Sequence, residues 1–226
     1  MDNAYFMPKT NEAMSDSFDI SRYTELDAVR TRLIFKLINY ERNKDRLLSL
    51  PHRRFLDLAV TYCCAFKTAW GDNANIVVTR EHLKYWSITE EELYKLALKN
   101  TPGNFGGKIE PLFTALSRMT GLKEGGDVPS EELYICSNMD YFYGASAILY
   151  EGFLQKFARM TGSSFIILPS SVHEVILLPD RAAGSYRELE ELVGYVNRTE
   201  VSPEEILSDK IYKYEPEEDY IKEILI

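Results

Sequence analysis

The residues from Gly144 to Asp180, GASAILYEGFLQKFARMTGSSFIILPSSVHEVILLPD, constrain the fold more than any other stretch. Phe153, Leu154, Phe157 and Ala158 recur at helical spacing, and Gly162 follows as a stop. Two short apolar runs, Phe165–Leu168 and Glu174–Leu178, then flank a Pro-Ser-Ser turn. Neither a helix nor a hairpin with one apolar face is stable alone, so each must bury that face against the other. A core is centred here. Nothing in this stretch specifies a reaction.

The rest of the chain supplies elements to complete that core. Thr24 with Asp27 opens a helix, and Leu33–Tyr40 (LIFKLINY) then reads as a strand. Lys44–Leu50 forms a helical turn that Pro51 ends. Asp57–Phe66 is a strand with largely apolar residues on both faces, hence central, and Asn75–Thr79 returns as a third strand. Glu81–Trp86 gives one or two helical turns. Thr89 and Glu92 make a capping box for a helix that is expected to end before Pro102.

Thr101–Lys108 reads as a glycine-rich loop. Pro111 takes a first helical position, followed by Leu112, Leu116 and Met119 at helix spacing, with Gly121 as stop. Lys123–Ser130 is an internal linker, and Leu133–Ser137 a fourth strand. Tyr141–Tyr150 suits a helix by its small residues and a strand by its Ile-Leu-Tyr ending. Ser185 with Glu188 begins a helix to about Asn197, and Ser202–Glu205 begins a short one.

Strands and helices cluster rather than alternate. The expected class is α+β, a mostly antiparallel sheet with helices packed on its faces. One sheet is expected to span both sides of the linker in a single domain over 20–214. A mobile segment over 1–19 precedes it, and an acidic tail over 215–226 follows.

Net charge is −9, and residues 200–226 carry nine acids against three lysines, so that tail supplies −6 of it. The remainder is near balance and offers a phosphate backbone little long-range attraction, which disfavours nucleic acid. Arg42, Lys44, Arg46, Arg53 and Arg54 are interrupted by acids and leucines and read as a solvated face. The N-terminus lacks a signal-peptide pattern, and no apolar run is long enough to cross a bilayer. A cytoplasmic protein without a membrane partner is the expectation. Cys63, Cys64 and Cys136 then read as buried reduced thiols.

Several longer motifs carry a resemblance. They are KLINYERN (Lys36–Asn43), PHRRFLDLAV (Pro51–Val60), EHLKYWSITEEELYKLALKNTP (Glu81–Pro102), ILPSSVHEVILLPD (Ile167–Asp180) and VNRTEVSPEEILSDKIYKY (Val196–Tyr214). From Leu37 onward the chain resembles the uncharacterised bacterial, mainly clostridial, domain-of-unknown-function family 5688. Members of that family carry a further α/β segment upstream, and Phe18–Val29 resembles the junction where it ends. The resemblance therefore implies a short member or a fragment. It implies no activity and no catalytic residues.

The chemistry-bearing residues are few. Of three histidines, His173 is the most suggestive, because Ser170, Ser171 and Glu174 adjoin it. A nucleophile, a base and an orienting acid are the parts of a hydrolytic site. Residues so close on one hairpin rarely converge, however, and no G-x-S-x-G elbow is present. Turn residues beside a half-buried histidine account for the same run. His52 and His82 have acids nearby, but no metal-ligand spacing exists. Gly103–Lys108 fails the phosphate-loop pattern, since Ile109 follows Lys108. No cofactor and no metal are called for.

Aromatic runs remain. Tyr141-Phe142-Tyr143 and Tyr85-Trp86 are candidate contact residues for a protein or small-molecule partner, against the alternative that they are core rings. Two functional readings follow. One is a non-enzymatic interaction domain; the other is a hydrolase or transferase with His173 as general base.

Overall fold

The computed structural model describes residues 4–7, 19–120 and 133–226. Its class is α+β, with all strand pairs antiparallel. Two sheets form rather than one. The chain divides into a unit comprising Met7–Gly106 and a second comprising Met1–Phe6 with Gly107–Ile226. The division falls where Gly106 caps a helix and the chain turns directly into a strand. The Lys123–Ser130 linker, the Gly121 helix stop and most of the 1–19 segment lie outside the described residues.

The four-stranded unit is organised by β4 (Leu58–Lys67). On one side lies β2 (Leu33–Asn39); the other is shared by β3 (His52–Phe55) and β5 (Asn73–Val77). Every residue of β2 and the first eight of β4 are buried, as their two-sided apolar pattern requires. Short helices α1 (Leu26–Val29) and α2 (Lys44–Leu47) lead into β2 and β3. α2 closes a cluster of Ile38, Leu47, Leu50 and Ala59. β3 was not expected, because HRRF carries three charged or polar residues in four.

α3 (Arg80–Trp86) and α4 (Glu90–Phe105) follow. The Thr89–Glu92 capping box forms as expected, with Thr89 Oγ1 accepting from the Glu92 N–H at 3.1 Å. α4 does not stop before Pro102 but runs through it, so most of the expected 101–108 loop is helix. An internal proline costs about 3 kcal/mol. The last turn is held by tertiary hydrogen bonds that offset this. Thr101 Oγ1 accepts from the Phe35 N–H at 2.9 Å, and Asn100 and Asn104 donate to the carbonyls of Leu33 and Thr31.

α3 has an unusual cap. His82 Nδ1 accepts from the Thr79 N–H at 3.0 Å, so the neutral ring carries its proton on Nε2. The imidazole lies against Tyr23 and Trp86, and burial holds it below its ordinary 6.5 despite Glu81. The unfolded chain therefore binds the proton more readily. This contribution to stability is complete above about pH 6.5 and is lost as pH falls from there through the lower folded value. The urea midpoint should drop more between about pH 7.5 and 5 in the native chain than in His82→Gln. Equal slopes in the two would show that the cap does not titrate.

The seven-stranded unit has the order β1-β6-β7-β9-β8-β10-β11. Its strands are β1 (Ala4–Phe6), β6 (Gly107–Pro111), β7 (Tyr134–Ser137), β8 (Phe165–Pro169), β9 (Val175–Pro179), β10 (Tyr212–Glu215) and β11 (Tyr220–Glu223). The expected helix and hairpin are at its centre. α6 (Phe153–Thr161) buries Phe153, Leu154, Phe157 and Ala158, and the Phe157 ring lies 5.0 Å from that of Phe165 and 4.9 Å from that of Tyr134. α5 (Leu112–Thr120) follows β6.

α7 (Tyr186–Thr199), capped by Ser185, covers the opposite face, where Ile166, Leu168, Leu178, Val193 and Ile211 form a second cluster. Ser202–Glu205 makes a single turn rather than a helix. The acidic run starts at the last residue of β10, Glu215, and continues through the 216–219 turn of the β10–β11 hairpin, so the segment expected to be a tail carries the edge strand. Residues 4–6, expected to be mobile, pair with β6.

Candidate functional site

The site lies on the seven-stranded unit, where β7 gives way to the residues 138–143. Asn138 holds this loop as a clamp: its Oδ1 accepts from the Phe142 N–H at 3.0 Å and its Nδ2 donates to the Phe142 carbonyl at 2.7 Å. Inside the clamp Tyr141, and just after it Tyr143, adopt φ of 53°. A left-handed backbone costs a side-chain-bearing residue about 1–2 kcal/mol. Such strain persists only where surrounding contacts fix it, and it concentrates at functional sites.

Behind the loop, Gly144 passes through a crossing of three chain segments. A β-carbon there would lie 2.0 Å from Ser137 Oγ and 2.6 Å from both the Asn138 N and the His173 O. Ser137 Oγ itself donates to the His173 carbonyl at 2.7 Å. The turn after Gly144 is a 3-10 helix over Gly144–Leu149, which resolves the Tyr141–Tyr150 ambiguity as neither α-helix nor strand.

On one side Tyr141 covers a buried charge cluster. Lys108 and Glu110 are two apart on β6 and so share a face, while Ile109 between them points to the other. Their side chains are only 8% and 2% exposed. Arg118 on α5 grips Glu110 with both terminal nitrogens, at 2.9 and 2.7 Å. Lys108 Nζ lies 3.5 Å from Glu110 Oε1 and 3.7 Å from the centroid of the Tyr141 ring. The Tyr141 hydroxyl donates to Glu110 Oε1 at 3.2 Å.

Electrostatics follow from that packing. Burial lowers the Lys108 ammonium from its ordinary value, with Glu110 opposing and Arg118 adding to the shift. Burial alone pushes Glu110 up, but hydrogen bonds from Arg118 and the two cations outweigh it, so the carboxyl sits below its usual range. Burial and the Glu110 charge push the Tyr141 hydroxyl up to about 12. The bidentate bond to Glu110 raises Arg118.

On the other side stands His173. Its Nδ1 is 2.9 Å from the Tyr141 carbonyl, its Nε2 is 3.5 Å from Glu205 Oε1, and its ring stacks on Tyr143 at 5.6 Å and 15°. The short Nδ1 contact requires a proton on Nδ1, so the Tyr143 N–H at 3.3 Å is a neighbour rather than a donor to it. Ser170 and Ser171 both donate to Glu174 Oε1, at 3.3 and 2.8 Å, and Ser171 Oγ also accepts the His173 backbone N–H. The four residues of the hydrolytic reading are thus neighbours, but the hydroxyls are turned to the glutamate.

Tyr141, Phe142, Tyr143 and His173 therefore meet at one place. Tyr85 and Trp86 belong to the four-stranded unit: Tyr85 is 66% exposed, whereas Trp86 is a core residue whose Nε1 donates to the Tyr23 carbonyl. A partner has no access to a ring so enclosed, which removes Trp86 as a contact. Lys108, Glu110 and Arg118 were not anticipated. The only sequence signal was the Lys-x-Glu alternation, hidden beside two glycines.

Elsewhere, Arg53 and Arg54 of the basic run lie over Tyr94 and Tyr40 at 4.0 and 3.9 Å, with ion pairs to Glu91 and Glu41. All three cysteines are buried. Among the described residues no group of three or more His, Cys, Asp or Glu is placed to hold a metal ion, and no helix is long and apolar enough to cross a membrane.

No curated protein and no solved structure matched the chain. One family did, over residues 2–216, which includes every residue of the site: the chain belongs to the family of unknown function DUF5688.

Proposed function

We propose that this chain is a non-enzymatic interaction domain that docks another protein through residues 139–143. The observation that carries the reading is the pair of left-handed tyrosines, Tyr141 and Tyr143, fixed on a clamped loop with their rings half-buried. Holding aromatic rings in a costly conformation removes flexibility that binding otherwise has to remove. Met139 and Arg118 beside them add two more side-chain types that interface centres concentrate. A cytoplasmic location is part of the same proposal, supported by three unpaired buried thiols.

The test begins with a photo-crosslinking amino acid at Phe142 in cells expressing the chain, to identify the partner. Binding of the purified partner to Phe142→Ala is then measured. The clamp on residue 142 is made by its backbone, so the loop survives the change. Affinity should fall by about thirtyfold, a loss of about 2 kcal/mol. Unchanged affinity would refute the assignment of this loop. The rival reading, a hydrolase or transferase with His173 as general base, draws on Nε2 facing Glu205. It requires Ser170 or Ser171 to leave Glu174.

A further inference from the structure

β11 is an outer strand of the seven-stranded unit, with three strands between it and β7, which leads into the loop. One contact fixes which of its backbone groups face inward: the Ile224 N–H donates to the Ile211 carbonyl at 3.0 Å. Bonded pairs alternate along an antiparallel ladder, so Lys222–Lys213 and Tyr220–Glu215 are bonded in the same way. Ile221 and Glu223 lie between them, and their N–H and C=O groups point away from β10. Among the described residues these four groups have no hydrogen-bond partner. The opposite outer strand, β1, is only three residues long, and its Tyr5 carbonyl accepts from the Lys156 ammonium at 3.4 Å. On β11 even the lysine that could repel an incoming strand is turned inward, since Lys222 Nζ reaches Glu215 on β10 at 2.9 Å.

The surroundings select what can pair there. Glu217 and Glu218 are exposed in the adjoining turn, and Glu223 is half-buried on the open edge. Among the described residues none of the three has an ion pair. The Tyr220 ring is half exposed beside them. Arginine and lysine are drawn to carboxylates and to exposed ring faces alike. We infer that β11 receives an extended basic segment of another protein as a further strand, bonded to Ile221 and Glu223, with arginine or lysine opposite Glu223 and beside the turn. Backbone bonds supply the affinity in such additions, and alternate side chains supply the specificity. A second copy fits poorly. Two-fold pairing of β11 with itself, centred on Ile221, Lys222 or Glu223, sets Glu223 opposite Asp219, Lys222 opposite Lys222, or Glu223 opposite Glu223. Like charges facing one another destabilise a ladder.

The test uses the full chain, labelled with ¹⁵N, and follows amide exchange into heavy water by NMR. The probes are acetyl-Arg-Val-Arg-Val-Arg-Val-amide and, as the acidic control, acetyl-Glu-Val-Glu-Val-Glu-Val-amide. Without peptide, the Ile221 and Glu223 amides should exchange fast and the Lys222 and Ile224 amides slowly. The basic peptide should slow Ile221 and Glu223 by about tenfold or more, and the acidic peptide should not.

Glu223→Lys should weaken binding of the basic peptide about tenfold and admit the acidic one. Glu223→Pro removes one outward N–H and no bond to β10, so the sheet keeps its own ladder while the peptide no longer protects Ile221. Unslowed exchange with the basic peptide, equal slowing by the acidic one, or native affinity in both variants would each overturn the inference. So would slow exchange of Ile221 and Glu223 without peptide, together with a dimer in sedimentation equilibrium, because a second copy would then occupy this edge.

Discussion

Gly144→Ala should destabilise the seven-stranded unit by about 3 kcal/mol or more, as read from urea unfolding followed by circular dichroism. The added carbon would sit 2.0 Å from Ser137 Oγ and 2.6 Å from two backbone atoms. The serine hydroxyl can rotate away only by giving up its bond to the His173 carbonyl. The Asn138 N and His173 O have no such freedom, because they belong to chain segments fixed by β7 and the β8–β9 turn. Gly152→Ala is the comparison. Gly152 has φ of 67° and no atom within 4 Å of the added carbon, so only backbone strain of about 1–2 kcal/mol is expected there. If the two variants lose the same stability, the crossing is looser than these distances state.

Glu110→Gln should cost about 3–5 kcal/mol, because it leaves the Lys108 ammonium buried with only the weaker influence of Asp140 as counter-charge. Lys108→Met should be neutral within about 1 kcal/mol, since Glu110 keeps both bonds from Arg118 and the Tyr141 hydroxyl. The two shifts in proton affinity agree with this asymmetry. Lys108 is lowered from 10.5, so the unfolded chain holds that proton more tightly and the charged amine works against folding at neutral pH. Glu110 is lowered from 4.5, so its contribution is complete above about pH 4.5 and is lost as pH falls through the folded value. The gap between native and Glu110→Gln stabilities should therefore close in acid. A Lys108→Met variant as damaged as Glu110→Gln would show that the cluster acts as one unit rather than as an Arg118–Glu110 pair with a tolerated lysine.

Elements whose two faces are both apolar were legible in the sequence: β2, β4, β8 and β9 follow from their residues, and α6 from its stripe and stop. Strands that place charge on one face were not. HRRF, GKIEP, YKYE and YIKE form β3, β6, β10 and β11, and their charged residues have partners no local pattern supplies. Lys213, for example, reaches Asp180 at 2.9 Å across strands joined by tertiary pairing. Pro102 misled for a related reason: helix propensity ends there, and the bonds that override it come from residues about seventy positions earlier.

The site divided in the same way. Its aromatic run could be read directly, because three rings in succession between a strand and a glycine are conspicuous. Its charged half could not, because Glu110, Arg118 and Tyr141 converge only once Glu110 is paired with Ile135 across β6 and β7. Trp86 shows the converse. Exposure of a helical ring depends on what lies opposite, and Tyr23 is sixty-three positions away.

The hydrogen bonds that join Asn100, Thr101 and Asn104 to the start of β2 and the turn before it have a further consequence. A bare strand margin is a template on which a foreign chain can add itself, the first step toward fibrous aggregation. Here the Phe35 amide and the Leu33 and Thr31 carbonyls are already occupied by side chains of the overlying helix. The first half of this apolar strand thus lies at the margin of its sheet without offering its backbone to another molecule.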